Sequence, residues 1–161
     1  MKKSLFKTFI IGLLSVWAFS ACKKTDTSID TSAPLIDLSF AEAFPKQCAV
    51  FVKGDTAWVH AKLEDAGGLG SFSIDIHHNF DQHAHSTEVN TCVQGDKKTA
   101  IQPFSLIRTY TIEGQPKAHT IKVPIFIPHD VDAGDYHFMI RATDAQGWQS
   151  MRGISIHLVA L

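Results

Sequence analysis

Apolar residues recur at every second position in four separate stretches, and this period of two decides what the chain can fold into. Ala57, Val59, Ala61 and Leu63 share one face of an extended segment, as do Phe72, Ile74 and Ile76. Ile121, Val123, Ile125 and Ile127 repeat the pattern, and so do Ile154, Ile156 and Leu158. Such alternation sets one face of a strand against a core and leaves the other toward solvent. Weaker strand signals run from Leu35 to Phe40, Thr87 to Val93 and Phe104 to Ile112. No stretch of useful length carries apolar residues at a helical period. The expectation is an all-β chain folded as an antiparallel sandwich of two sheets.

One segment narrows the class of sandwich. Asp132-Ala133-Gly134-Asp135-Tyr136-His137-Phe138 resembles the tyrosine corner of immunoglobulin-like domains, in which a Tyr opens the next-to-last strand and its hydroxyl bonds back to the turn before it. Phe138 stands where an antibody domain has its second cysteine, which excludes the antibody-type disulfide but not the immunoglobulin-like fold. Asp144-Ala145-Gln146-Gly147 then reads as the hairpin turn into the final strand. A calcium site at Asp144 is the sharper reading of the same turn, and one acid falls well short of the six to eight oxygens that calcium takes.

The N-terminus reads as a targeting segment. Lys2, Lys3 and Lys7 precede an apolar run from Phe9 to Phe19, shorter than the roughly 20 residues that a membrane-spanning helix needs. The run ends in Phe19-Ser20-Ala21-Cys22, which resembles the lipobox of bacterial lipoproteins, where the cysteine is acylated and becomes the new N-terminus. Residues 1–21 are then a signal peptide, and lipid on Cys22 anchors the chain to a membrane. An ordinary signal peptide cut near Ala21 is the alternative. Residues 22–33 are polar and read as a flexible tether, so residues 34–161 form the single folded domain. Removing the three leader lysines leaves 12 Lys and Arg against 16 acids, a formal net charge of −4. A mildly acidic domain without a basic stripe is a poor nucleic-acid binder. Cys48 and Cys92 remain as an even pair in an oxidising compartment, which suggests a disulfide; two buried free thiols are the other reading.

The chemistry concentrates in HHNFDQHAHSTE, His77 to Glu88. An even spread of nine histidines over 161 residues would put about half of one into the nine positions from His77 to His85, and four are there. That enrichment is the compositional mark of a metal tract. If the segment is extended, His83 and His85 lie on one face, about 6.6 Å apart, and can converge on one ion. With Phe72, Ile74 and Ile76 inward, Asp75 and His77 face outward, while His78 takes an inward or edge position. With Tyr136 and Phe138 inward, His137 and Met139 face outward. Immunoglobulin-like strand order sets these strands side by side, so one sheet surface gathers His77 and His137, with His157 one strand further on. The loop carrying His83 and His85 would fold across it.

Candidate ligands are therefore His77, His83, His85 and His137, with Asp75, Asp81 or Glu88 as a fourth ligand or as supports, and with His78 weighed between ligand and structural histidine. Imidazole with carboxylate favours zinc or copper over calcium or magnesium. His60, His119, His129 and His157 read as surface or capping residues. The rival readings of the cluster are a solvated polar loop and a histidine-rich contact surface sensitive to pH near 6.5, the ordinary imidazole value.

The stretches IDLSFAEAFPK, SFSIDIHHNFDQHAHSTEV and GDYHFMIRATDAQGWQS resemble Bacteroidota lipoproteins of the family known as domain of unknown function 4625. The resemblance covers most of Ile36 to Leu158 and implies a lipoprotein with a sandwich domain, but no activity. Two function classes follow from the residues. The first is an extracytoplasmic metal-binding lipoprotein that passes zinc or copper to an uptake system or another cell-envelope protein. The second is an interaction or adhesion module that presents the sandwich to a protein or glycan. An enzyme is the weakest reading: copper-zinc superoxide dismutase is also a sandwich with a His-x-His pair, but no second loop of histidines follows His83-Ala84-His85. No Ser/His/Asp or Cys/His arrangement is evident either. The expected location is the bacterial cell envelope, with the lipid in the outer membrane and the domain facing periplasm or exterior. If Cys22 carries that lipid, Cys22→Ala moves the protein from the membrane fraction to the soluble fraction; a variant that still sediments with membranes places the anchor elsewhere.

Overall fold

The computed structural model describes residues 30–83 and 92–160. Eight strands are described: β1 Leu35–Asp37, β2 Ala49–Val52, β3 Thr56–Glu64, β4 Leu69–His78, β5 Leu106–Thr111, β6 Ala118–Phe126, β7 Gly134–Asp144 and β8 Gln149–Val159. They form two sheets, one in the order β1-β3-β6 and the other in the order β2-β8-β7-β4-β5. This is a β-sandwich, and its order is that of an immunoglobulin-like domain, with β4 beside the next-to-last strand β7 and the last strand β8 on the other side of β7.

The period-two stretches are the strands that build the core. Val59, Ala61 and Leu63 of β3 and Ile74 and Ile76 of β4 are wholly buried. Ile121 and Ile125 of β6 and Ile154, Ile156 and Leu158 of β8 join the same cluster. Phe51 lies 6.0 Å from Phe138 between ring centroids, and Phe72 stacks on Tyr110 at 4.6 Å. The weaker signals at Leu35 and Phe104 correspond to β1 and β5, each shorter than its apolar stretch. Of the signal from Thr87 to Val93, residues 87–91 lie outside the described residues, and Cys92 and Val93 are not in a strand.

One strand differs from the sequence expectation. β2 has the run Ala49-Val50-Phe51-Val52, too short to show alternation, and it pairs with β8 in parallel. The other strand pairs are antiparallel. The difference arises because the chain leaves the smaller sheet after β1 and joins the edge of the larger one as β2. No tight hairpin links β2 to β8, so nothing imposes the antiparallel direction.

The tyrosine corner is formed. The Tyr136 hydroxyl donates to the Asp132 carbonyl at 2.8 Å, and the Phe104 amide donates to the hydroxyl at 3.0 Å. Burial pushes the Tyr136 phenol above its ordinary pKa. The Asp132 carboxylate accepts from the amides of Ile101 and Gln102 at 2.7 and 2.8 Å, and these bonds hold it below the usual carboxylate range. One aromatic residue and one acid thus pin the end of the long connection between β4 and β5 to the start of β7. Cys48 and Cys92 are bonded to each other, with Cα atoms 5.5 Å apart, and tie the middle of that connection to the segment before β2. At the turn into the hairpin β7-β8, the Asp144 carboxylate accepts from the amides of Gln146 and Trp148. Its Oδ1 thus serves as the acceptor of the turn.

Tyr136→Phe keeps the ring and strands two buried backbone partners. It should lower the unfolding free energy by about 1–3 kcal/mol, seen in urea as a lower midpoint at unchanged slope. An unchanged midpoint means that the corner contributes nothing to stability.

Candidate metal centre

The centre lies on the outward face of the larger sheet. His77 of β4 and His137 of β7 are register partners, and partners on neighbouring strands project to the same face. Their inward neighbours Ile76 and Phe138 are wholly buried in the core. Alternation therefore leaves the two imidazoles no choice of side.

The third imidazole arrives from the chain after β4. The Asn79 amide donates to the Asp135 carbonyl, and the Gln82 amide to the Asn79 carbonyl, which closes a turn at Gln82 with φ 58°. Phe80 anchors that turn: it is buried, its ring meets Tyr136 edge-on at 5.2 Å, and the Lys98 ammonium lies 4.3 Å over its face. Gly134 makes room, since a Cβ there would sit 2.9 Å from the Phe80 ring, in a backbone conformation of φ 131° that disfavours side chains. The chain is thereby turned back, and His83 comes to rest over the pair.

The result is a triangle of imidazoles. Ring centroids are 5.4 Å apart for His77 and His137, 5.0 Å for His83 and His137, and 5.8 Å for His77 and His83. One ring nitrogen from each lies within 4.8 Å of the others. Nitrogens on a tetrahedral zinc, each about 2.0–2.1 Å from the ion, are roughly 3.3 Å apart, so the three could hold one ion if their side chains closed up by a small rotation. His137 is fully buried, whereas the side chains of His77 and His83 keep 26% and 33% of their exposure. The centre is thus walled on the sheet side and reached from solvent past two of its rings.

Two carboxylates set the rings. His77 Nδ1 bonds to Asp75 at 2.9 Å, and His83 Nδ1 bonds to Asp81 at 2.5 Å. The latter bond holds the Asp81 carboxyl below its ordinary range. A carboxylate on Nδ1 fixes the tautomer and directs Nε2 to a metal, the arrangement found around many metal-ligating histidines. Asp75 and Asp81 thus stand behind the two rings, outside the group of converging ligand atoms.

The remaining candidates lie elsewhere. His78 falls opposite Tyr136, and its ring packs on Phe80 at 4.9 Å, apart from the triangle. His85 and Glu88 lie outside the described residues. His157 is paired with Asp135 at 2.6 Å, one strand beyond His137. His60 bonds the Glu42 carbonyl, His119 lies beside Phe72, and His129 lies against Gly54. The sequence reading passed over Ser155, which is buried and is the register partner of His137 on β8. Alternation from Ile154 and Ile156 already turns it outward, but only the pairing of β7 with β8 sets it at the centre.

The sequence profile of the family described as Domain of unknown function (DUF4625) matches residues 20–159. The chain belongs to this family. No curated protein matches this member of the family. Among solved structures, this DUF4625 chain is similar to wild-type OgpA from Akkermansia muciniphila, with 12% identity and a TM-score of 0.46 over 80% of this chain and 30% of that one. It is also similar to Spo0M, a sporulation control protein from Bacillus subtilis, with 10% identity and a TM-score of 0.43 over 81% of this chain and 51% of that one. The DUF4625 chain thus spans about a third and about half of their lengths.

If the carboxylates orient their histidines for metal, Asp75→Ala and Asp81→Ala should each weaken zinc binding roughly 10- to 100-fold, read by competition with a chromophoric chelator. Affinities equal to that of the unaltered protein would mean that the two acids bind their histidines for other reasons.

Proposed function

We propose that this protein is a cell-envelope lipoprotein that binds one transition-metal ion through His77, His83 and His137. The observation that carries the reading is the triangle itself: three imidazoles within ligating reach of one another, two of them held at Nδ1 by carboxylates. Imidazole ligands suit zinc and copper(II) and are a poor match for calcium or magnesium. Zinc is the first choice, because it accepts a tetrahedral site without a d-electron preference. Copper is the second, with Met139 beside Asp75 on the same outward face. Lipid on Cys22, with the polar segment 22–33 behind it, would hold the domain at the membrane. Partial exposure of His77 and His83 suits an ion that is passed on to an uptake system or another envelope protein.

An interaction module is the second reading, favoured by a separate surface. Trp58 and Phe126, each about half exposed, lie with Pro124 on the outward face of the smaller sheet, where Trp58 pairs with Pro124 and Thr56 with Phe126. Exposed aromatic patches of this kind often mark contact sites.

Calorimetry on protein purified without a histidine tag separates the two. The expected result is about one zinc or copper(II) ion per chain, with affinity that weakens as pH falls and protons compete for the imidazole nitrogens. Metal should also stabilise the fold by about 2.7 kcal/mol at a free concentration a hundred times the dissociation constant. His83→Ala and His137→Ala should remove most of that gain, and His119→Ala and His129→Ala little of it. No saturable binding, or equal losses from the two control histidines, discards the metal reading in favour of the interaction module.

A further inference from the structure

Ser155 is the register partner of His137 and carries a buried hydroxyl. The residue is 7% exposed, and among the described residues its Oγ has no hydrogen-bond partner. Its main chain is occupied on the side away from β7: the amide donates to Gln47 Oε1 at 3.2 Å, and the carbonyl accepts from the Cys48 amide at 2.8 Å. A residue whose amide and carbonyl both face away from the neighbouring strand forms the non-hydrogen-bonded kind of antiparallel pair, the kind in which Cα atoms approach to about 4.5 Å and side chains are closest. His137 is that partner, and both side chains project to the outward face. The hydroxyl therefore stands on the same face as the buried imidazole of the triangle, one strand away, and Gln47, which accepts from the Ser155 amide, also donates to Cys92 Sγ.

Buried hydroxyls are normally satisfied, by protein or by a bound species. We propose that Ser155 positions an exchangeable fourth ligand on the metal: a water molecule, or a small inorganic anion that displaces it. The inference rests on the three-histidine reading. Among the described residues three neutral imidazoles would fill three tetrahedral positions and cancel none of the charge of a divalent ion, so a remaining position would attract an anion. A serine hydroxyl serves either occupant, since it both donates and accepts. It donates to an anion and accepts from a water proton. Ser155 is thus a positioning residue for the fourth ligand and not itself a ligand.

Cobalt(II) with azide as the probe tests this, because cobalt reports its coordination in visible absorption. The chain purified without a histidine tag should bind one cobalt, and azide should then change the spectrum saturably. Ser155→Ala should load cobalt to the same stoichiometry and bind azide about three- to tenfold more weakly, the loss expected for one hydrogen bond. Ser155→Thr, which keeps the hydroxyl, should restore most of the azide affinity. Equal azide constants for the serine and alanine proteins overturn the role of Ser155 and leave the metal reading intact. A cobalt protein that ignores azide overturns the exchangeable position, again without touching the three histidines. Absence of cobalt binding removes the metal reading and this inference with it.

Discussion

Ile74 against Ile140 and Ile76 against Phe138 fix the register of β4 on β7, and the rest of the centre depends on that register. These side chains are wholly buried, and a slip of one residue would carry every one of them to the solvent face. The cost of such a slip is the transfer of several large apolar side chains into water, at roughly 1.5–3 kcal/mol each. His77 and His137 therefore meet because their neighbours cannot be moved. The polar pair is held by apolar packing one residue away on the opposite face.

What lies over the sheet is held by a different kind of force. The connection from β4 to β5 has few buried apolar residues among those described, chiefly Phe80 and Phe104. It is fastened at separate points: Phe80 on Tyr136, the Gly95 amide on Asp135, Ile101 and Gln102 on Asp132, Phe104 on Tyr136, and Cys92 on Cys48. Each fastening is polar, aromatic or covalent. A loop secured in this way can bring His83 over the sheet without a core of its own, which suits a centre with one rigid wall and one adjustable side.

The electrostatics of the centre follow from the same division. The sheet supplies His137 fully buried and His77 at the margin, and the loop supplies His83 at the solvent side. Each of the two partly exposed rings brings its own carboxylate from two residues earlier in the chain, Asp75 for His77 and Asp81 for His83. In the strand, a spacing of two puts acid and imidazole on one face. After the strand, the turn at Gln82 reproduces the same juxtaposition by other means. The repeated Asp-x-His unit thus gives ready-oriented imidazoles in two unlike backbones.

Alternation at period two determined the strands, their inward faces and the sandwich, because burial of one face in two is a local consequence of an extended chain. The corner at Tyr136 was legible too, since its residues are contiguous. The enrichment from His77 to His85 marked the chemistry, and alternation placed His77 and His137 outward on strands that immunoglobulin-like order sets together. The tertiary structure alone decided that His137 and Ser155 are buried although they point away from the core, because the cover over them comes from the distant segments around Gln47, His83 and Cys92. It also decided the parallel course of β2, which no local pattern encodes. Separation along the chain is the physical reason: a side chain's face depends on its nearest neighbours, and its solvent exposure depends on whatever else the fold lays across that face.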